Sequence, residues 1–507
     1  MKILCGLALL FLLPGASAQQ APWGRPDIPV SAHDRVYAAD QTSNTISVID
    51  PSSNKLLGVI RLGEPVPAAL QPLYIGQLLV HGLGYSPDSK TLAVVSIASN
   101  SVTLIDTATN KVKGVVYVGR SPHEVFFTPD GHELWVTVRG EDYVSVIDPV
   151  QMKETRRIEM ANGPGMTMFG PDGRYGFVCS SFTPELTVVD VASHEIVKRL
   201  PQASPFCPNI AVSPENDEVW ITLKDTGRVQ VYSAKPPFEQ KWLLETGPIT
   251  NHVNFANNSN GKFAYVSIGG LNVVKVFRRG GATTELVATI PVGNLPHGIW
   301  QSGDGSRVYV AFENGGEAAA IDTVTNKVIA NIPIGQTTQA LVYVPNAVPD
   351  GTGSENLTAE GEAAKIVRLH LGAGGSGLAN AQASAAVNSL GLVDLIEIAA
   401  SGLSPRSQYD VYIAEHNQAP FGKLEPLAVL KTNPDGAGIV QAVGPLKVLA
   451  AANSSSSNAA SQRFLIVTDR NDPSNVVLQQ TSASNGQYSS GELARISENQ
   501  DAKTCSK

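Results

Sequence analysis

From Arg35 to Val344 apolar and polar residues alternate in short runs, and this period of two predicts β-strands. One run reads Arg35-Val36-Tyr37-Ala38-Ala39, the next Thr45-Ile46-Ser47-Val48-Ile49-Asp50, and a third follows Asn54-Lys55 as far as Gly63. The middle phrase returns at Val102 to Asp106 with Asn110-Lys111 behind it, and at Val144 to Asp148 and Leu186 to Asp190. It returns again at Ala318 to Asp322 with Asn326-Lys327, and in weaker form at Val229 to Ser233 and Val273 to Arg278. A second phrase precedes each copy, as in His81-Gly-Leu-Gly-Tyr-Ser-Pro87-Asp88 and His123-Glu-Val-Phe-Phe-Thr-Pro129-Asp130-Gly131. Equivalent starts fall at Gly165, Pro208, His252 and His297, with a degenerate one at Gln339.

These starts are 42, 42, 43, 44, 45 and 42 residues apart. Each interval holds four short strands separated by Pro-Asp-Gly and Asp-x-x-x-Asn-Lys turns, the signature of a propeller blade. Six complete units begin at residues 81, 123, 165, 208, 252 and 297. Segment 35–63 has three strands and lacks a leading one; segment 339–344 supplies a leading strand with nothing after it. Together they predict a composite seventh blade that closes the ring and removes long exposed edges. The fold class is therefore all-β, a seven-bladed β-propeller over residues 35–345.

Val308-Tyr309-Val310, Leu134 to Val138 and Thr103 to Lys111 resemble the YVTN-type β-propeller repeat. The resemblance covers about residues 35–345. It implies a propeller on the cell surface or in the periplasm, and related seven-bladed propellers include sugar lactonases. Fold alone assigns no activity.

Residues 346–362, with Pro-Asp-Gly-Thr-Gly-Ser-Glu, read as a linker. Strand-like runs without the blade period then occupy 363–480, among them Ile366 to His370, Val393 to Ile398 and Phe464 to Val467. Leu403-Ser404-Pro405-Arg-Ser-Gln-Tyr409 resembles the tyrosine corner of fibronectin-like sandwiches, so a small β-sandwich for adhesion, spacing or docking is expected. Residues 481–507 are polar and read as a disordered tail.

Met1-Lys2, the apolar run Ile3 to Leu13 and Ala16-Ser17-Ala18 predict a signal peptide over 1–18. The mature chain is then exported, periplasmic or extracellular, with no later stretch of membrane-spanning length. Charged residues are 16% of the chain and its net charge is −8, which argues against nucleic acid as a partner. Its 46 glycines and 33 prolines suit a fold of many tight turns.

Candidate chemistry gathers on histidine. His81, His123, His252 and His297 share one repeat position, the start of the innermost strand at the mouth of the central channel. The first two lie on neighbouring blades, as do the last two, and Gln339 stands between the pairs. Such a ring suits a transition metal, copper or zinc, or an anion gripped by protonated imidazoles. The plainer reading is a repeated side chain that bonds a loop carbonyl in each blade. Glu124 is expected on the opposite strand face from His123. Without carboxylates at the repeat positions, no convincing ligand set is complete.

Asp50, Asp106, Asp148, Asp190 and Asp322 read as turn caps. Cys179 and Cys207 fall toward the mouth on adjacent blades, where a disulfide is the first reading and a copper–thiolate the minor one. Cys505 lies in the tail, and the absence of Cys-x-x-Cys-His excludes covalent haem. Between Gly63 and His81 a longer loop, Glu64 to Val80, carries the apolar Leu73-Tyr74-Ile75.

Three readings of function follow. The leading one is an exported, non-catalytic binding or scaffold protein with a protein or cell-envelope partner. The alternatives are a metal-dependent enzyme, lactonase-like or oxidoreductase, acting on a small ligand at the histidine-lined mouth, and a metal carrier using the same side chains.

Overall fold

In a computed structural model, residues 29–64, 73–281, 283–361, 365–375, 377–390, 393–449 and 462–481 are described. The expected signal segment, Cys505 and the tail beyond residue 481 lie outside them. Residues 35–344 form seven four-stranded antiparallel sheets. Blade 1 is the composite one. Its innermost strand is Thr338–Val344, paired with Arg35–Asp40 in the register Val36↔Tyr343 and Ala38↔Leu341. Blades 2 to 7 begin at Val80, Pro122, Pro164, Ile210, Thr250 and Pro296.

Burial grades outward through each blade. Innermost strands such as Val80–Tyr85 and Pro296–Gln301 are buried at every position, because neighbours cover both of their faces. Outermost strands such as Lys327–Pro333 alternate exposed and covered residues. The repeat's turn residues have mechanical causes. Asp106 Oδ1 accepts the Thr109 amide at 3.0 Å, and Asp322 Oδ1 the Thr325 amide at 2.7 Å. Asn54, Asn110 and Asn326 adopt left-handed backbone, which asparagine tolerates well among side-chain-bearing residues. The same asparagines join blades: the Tyr309 hydroxyl donates to Asn54 Oδ1 at 3.0 Å and the Tyr265 hydroxyl to Asn326 Oδ1 at 2.8 Å.

The ring's closure is cemented by a buried aspartate. Asp40 accepts hydrogen bonds from Thr45 at 3.0 Å, Ser47 at 2.8 Å and Thr338 at 2.9 Å, the last from the far end of the propeller sequence. Burial raises its carboxyl to about 7. Cys179 and Cys207 form a disulfide, with Cα atoms 6.1 Å apart, that ties blade 4 to the chain entering blade 5.

Residues 346–361 form a strap packed on the propeller. Val348 pairs with His33, and Arg35 donates to the Thr352 carbonyl at 2.6 Å. Asn110 holds the Gly353 carbonyl at 2.9 Å on the face opposite the mouth, and Thr358 then bridges Val59 on the outer strand of blade 1. The strap thus climbs the outside of the ring.

The second domain is all-β, but the fibronectin-like resemblance finds no support. Its eight strands form one curled sheet in the order Leu424–Lys431, Gln408–Ala414, Phe464–Asp469, Asp472–Gln480, Ile366–Ala373, Gln382–Ser389, Asp394–Ser401 and Gly438–Gly444. The two edge strands approach each other, so the sheet is a nearly closed barrel around Leu371, Ile398, Val411 and Val467. The corner motif itself closes locally, with the Ser404 amide donating to the Tyr409 hydroxyl at 3.0 Å. Such a contact needs only one turn beside one strand, and so does not select the sandwich topology.

Asp40→Ala removes the acceptor for three buried hydroxyls and is expected to cost about 2–3 kcal/mol. The exposed turn change Asp106→Ala is expected to cost less than about 1 kcal/mol. Denaturant unfolding of the two variants checks the ranking; equal losses would show that the closure needs no buried aspartate.

Candidate functional site

Every innermost strand starts on one face of the ring, and the loops between second and third strands return to that face. The four histidines therefore converge at the channel mouth, each 4–5% exposed. They form two pairs rather than an even ring. The His81 and His123 ring centroids are 4.4 Å apart, and those of His252 and His297 are 4.6 Å apart.

Their hydrogen bonds assign the free ring atoms. His123 Nδ1 lies 2.8 Å from the Gly165 carbonyl of the next blade, and His297 Nδ1 lies 2.6 Å from the Gln339 carbonyl. A carbonyl only accepts, so both rings are protonated at Nδ1 and keep a lone pair at Nε2. His252 is the reverse. Asn209 Oδ1 accepts the Val253 amide at 2.9 Å, which turns its Nδ2 toward His252 Nδ1 at 3.3 Å. His252 therefore carries its proton on Nε2, a buried donor without a partner. The plain carbonyl-bonding expectation fits His123 and His297, and that bond leaves their chemically active nitrogens free.

Burial holds all four imidazoles neutral, aided at His81 by Arg139 and at His252 by Lys224; His252 falls to about 3. Desolvation thus disfavours the charged form that an anion grip by these histidines would need. Cationic side chains at the mouth come instead from Arg139 and Lys224, each directly after the second strand of its blade. Glu313 occupies the same position in blade 7.

Carboxyl groups also converge here, contrary to expectation. Glu124 does not face away from the neighbouring blade. An irregularity between Pro122 and Val125 breaks the strand's alternation and brings Glu124 Oε1 to 3.8 Å from His81 Nδ1. Gly82 makes room, since a Cβ there would lie 2.5 Å from Glu124 Oε2. Burial pushes Glu124 up to about 8, with Arg139 opposing. Glu313 Oε2 lies 3.9 Å from His297 Nε2, and Gln339 reaches the mouth with its amide donating to Glu313 Oε1 at 2.7 Å.

The second domain covers part of this face. Ser401 donates to the Gly270 carbonyl at 2.6 Å, and Asn388 to the Thr337 hydroxyl at 3.1 Å. Ala399 and Ala437 pack on Ile249 and Leu295. Between these contacts Glu397 enters the mouth, 1% exposed, with Gln441 donating to its Oε2 at 2.6 Å. Its carboxyl is within hydrogen-bonding reach of Glu313, and burial together with that neighbour raises it well above the ordinary range. Glu397 therefore favours its protonated form at neutral pH. Among the described residues, His81, His123 and Glu124 form a group suited to a metal ion, with ligand atoms within 4.8 Å of one another.

In the Glu64 to Val80 loop, residues 65–72 lie outside the described set. The Tyr74 hydroxyl takes the Glu64 amide at 2.7 Å, while Leu73 and Ile75 stand exposed. No described helix is long and apolar enough to cross a membrane.

A raised carboxyl favours the assembled state below its ordinary pKa of 4.5 and loses that contribution as pH rises through its folded value. For Glu397, facing Glu313, Gln441 and Lys224, docking should weaken toward mildly alkaline pH. Hydrogen exchange over 394–401 is expected to accelerate with pH beyond its intrinsic chemistry, and Glu397→Gln should flatten that excess. Identical profiles in both proteins would refute it.

A family model described as "Lactonase, 7-bladed beta-propeller" matches residues 34–328, more than half of the chain. No curated protein matches it. Among solved structures, a functionally unknown protein from Desulfotomaculum acetoxidans is 13% identical, with TM-score 0.52, covering 61% of this chain and 98% of its own. Kuenenia stuttgartiensis hydrazine synthase is 18% identical, with TM-score 0.49, covering 59% of this chain and 97% of its own. The periplasmic gluconolactonase of Pseudomonas aeruginosa is 16% identical, with TM-score 0.49, covering 61% and 99%.

Proposed function

This chain belongs to the seven-bladed β-propeller lactonase family, and from that premise we propose that it is an exported hydrolase of small polar lactones. Its reaction centre is the partly covered channel mouth. Membership of this family favours the hydrolase over a non-catalytic scaffold, and the YVTN-type likeness remains a description of how the blades recur. The observation that carries the reading is the meeting of neutral imidazoles, proton-bearing carboxyls and two cations in one buried place. Groups whose environments push their proton affinities apart can divide acid and base roles.

Lactone hydrolysis adds water across the ring ester. The Nε2 lone pair of His297 takes a proton from the attacking water as its oxygen bonds the carbonyl carbon. The Nε2 proton of His252, with Arg139 and Lys224, offsets the charge growing on the carbonyl oxygen. The proton held on Glu397 passes to the ring oxygen as its bond to carbon breaks. The product hydroxy acid ionises at neutral pH, which makes turnover visible as acid release. Two cations at the mouth also suit a product carboxylate. Export rests on the Met1 to Ala18 signal pattern.

Acid release from a panel of aldono- and simple γ- and δ-lactones, corrected for spontaneous opening, tests the reading. Saturable hydrolysis is expected, and His297→Ala should lower kcat/KM by about 10²–10⁴-fold with near-ultraviolet dichroism unchanged. A folded protein that accelerates no lactone in the panel would sink the proposal.

A further inference from the structure

We propose that His81, His123 and Glu124 form a binding site for one divalent transition-metal ion, of the zinc or cobalt kind, between blades 2 and 3. Three features converge on it. First, Glu124 Oε1 is buried without a hydrogen-bond partner, and His81 Nδ1, which faces the His123 carbonyl without a well-aligned bond, stands 3.8 Å from it, too far for the two to satisfy each other. An unsatisfied buried carboxyl oxygen is costly, and an ion held between it and the imidazoles would relieve it.

Second, the His123 ring is held by its Nδ1 bond to the Gly165 carbonyl, which presents Nε2 as a ligand. Backbone carbonyls commonly orient metal-binding imidazoles in this way. Third, the ligand atoms lie within 4.8 Å of one another. Small side-chain rotations would close that spread to the roughly 3.4 Å between neighbouring ligands of a tetrahedral zinc.

Two imidazoles and one carboxylate are a mixed nitrogen and oxygen set, suited to zinc and its neighbours rather than to calcium or magnesium. Three protein ligands also leave a coordination position open, as in catalytic rather than structural zinc sites. Arg139 faces Glu124 and competes for it, so binding requires the guanidinium to yield and Glu124 to be ionised. Calcium, which prefers an all-oxygen shell of roughly six to eight ligands, should not substitute. The His252 and His297 pair is not part of the set.

The test uses the untagged full chain, stripped by chelator and dialysed against zinc or cobalt ions. About one equivalent should bind in calorimetry, and cobalt should give the visible absorption of a low-coordinate nitrogen and oxygen site. Glu124→Gln and His81→Ala should each weaken binding at least tenfold, whereas His252→Ala should leave it intact. Glu124→Gln keeps the side chain's shape, so it serves if His81→Ala fails to fold. Binding that survives Glu124→Gln and His81→Ala together, or no binding by folded wild-type protein, overturns the site. No lactone enters the assay, so its outcome is separate from that of the hydrolase reading.

Discussion

Where seven strands crowd around one axis, the polar groups at their starts lose water and must find partners on neighbouring blades. The Gly165 carbonyl receives both His123 Nδ1 and the Thr137 hydroxyl, the latter at 2.8 Å. The His297 carbonyl receives the Ser267 hydroxyl at 2.6 Å, while His297 itself bonds the Gln339 carbonyl. These contacts weld the inner ring, and they also set the tautomers of two rings. Desolvation then keeps the imidazoles uncharged. Mechanical cohesion and chemical readiness arise here from the same hydrogen bonds.

The second domain follows from that constraint. A mouth lined by Glu313, Glu397 and four imidazoles is dry only if something covers it, and contacts to Gly270, Asn314, Gln336 and Thr337 supply cover over blades 6, 7 and 1. Gly316 permits the closest approach, because a Cβ there would sit 2.0 Å from Ile366 Cδ1. The strap from Asn346 to Thr358 carries the chain from the far face, up the outside of blade 1, to this position. A docking module would need no acidic side chain inside its own interface. Glu397 makes the second domain part of the site it covers.

The propeller was legible because each repeated residue answers a local demand: aspartate at the turn, asparagine in left-handed backbone, tyrosine reaching the adjacent blade. Blade count and composite closure follow from spacing alone. The carboxyls were missed for different reasons. Strict alternation placed Glu124 on the wrong side, and the break between Pro122 and Val125 overrode it. Arg139, Lys224 and Glu313 did leave a trace, since each immediately follows the second strand of its blade. Read as a column, as the histidines were, these three charges would have pointed to the same mouth. Glu397 left none, because its place depends on how a sheet outside the repeat docks. Tyr409 shows the converse, a local motif that formed without the fold it resembles.

The two histidine pairs need not do the same work. His252 and His297 present one N–H and one lone pair side by side, beside Glu313 and a Glu397 carboxyl that burial keeps protonated, and the second domain lies on that side. This is equipment for moving protons in a dry place. His81 and His123 sit on blades 2 and 3 with a single carboxyl, and the domain contacts described above lie on other blades. His81 Nδ1 and Glu124 Oε1 face one another across a gap of 3.8 Å that suits an ion. One repeat position has thus been turned to two chemistries by its neighbours: on one side a glutamate from the following loop and another from the second domain, on the other a glutamate redirected by an irregular strand.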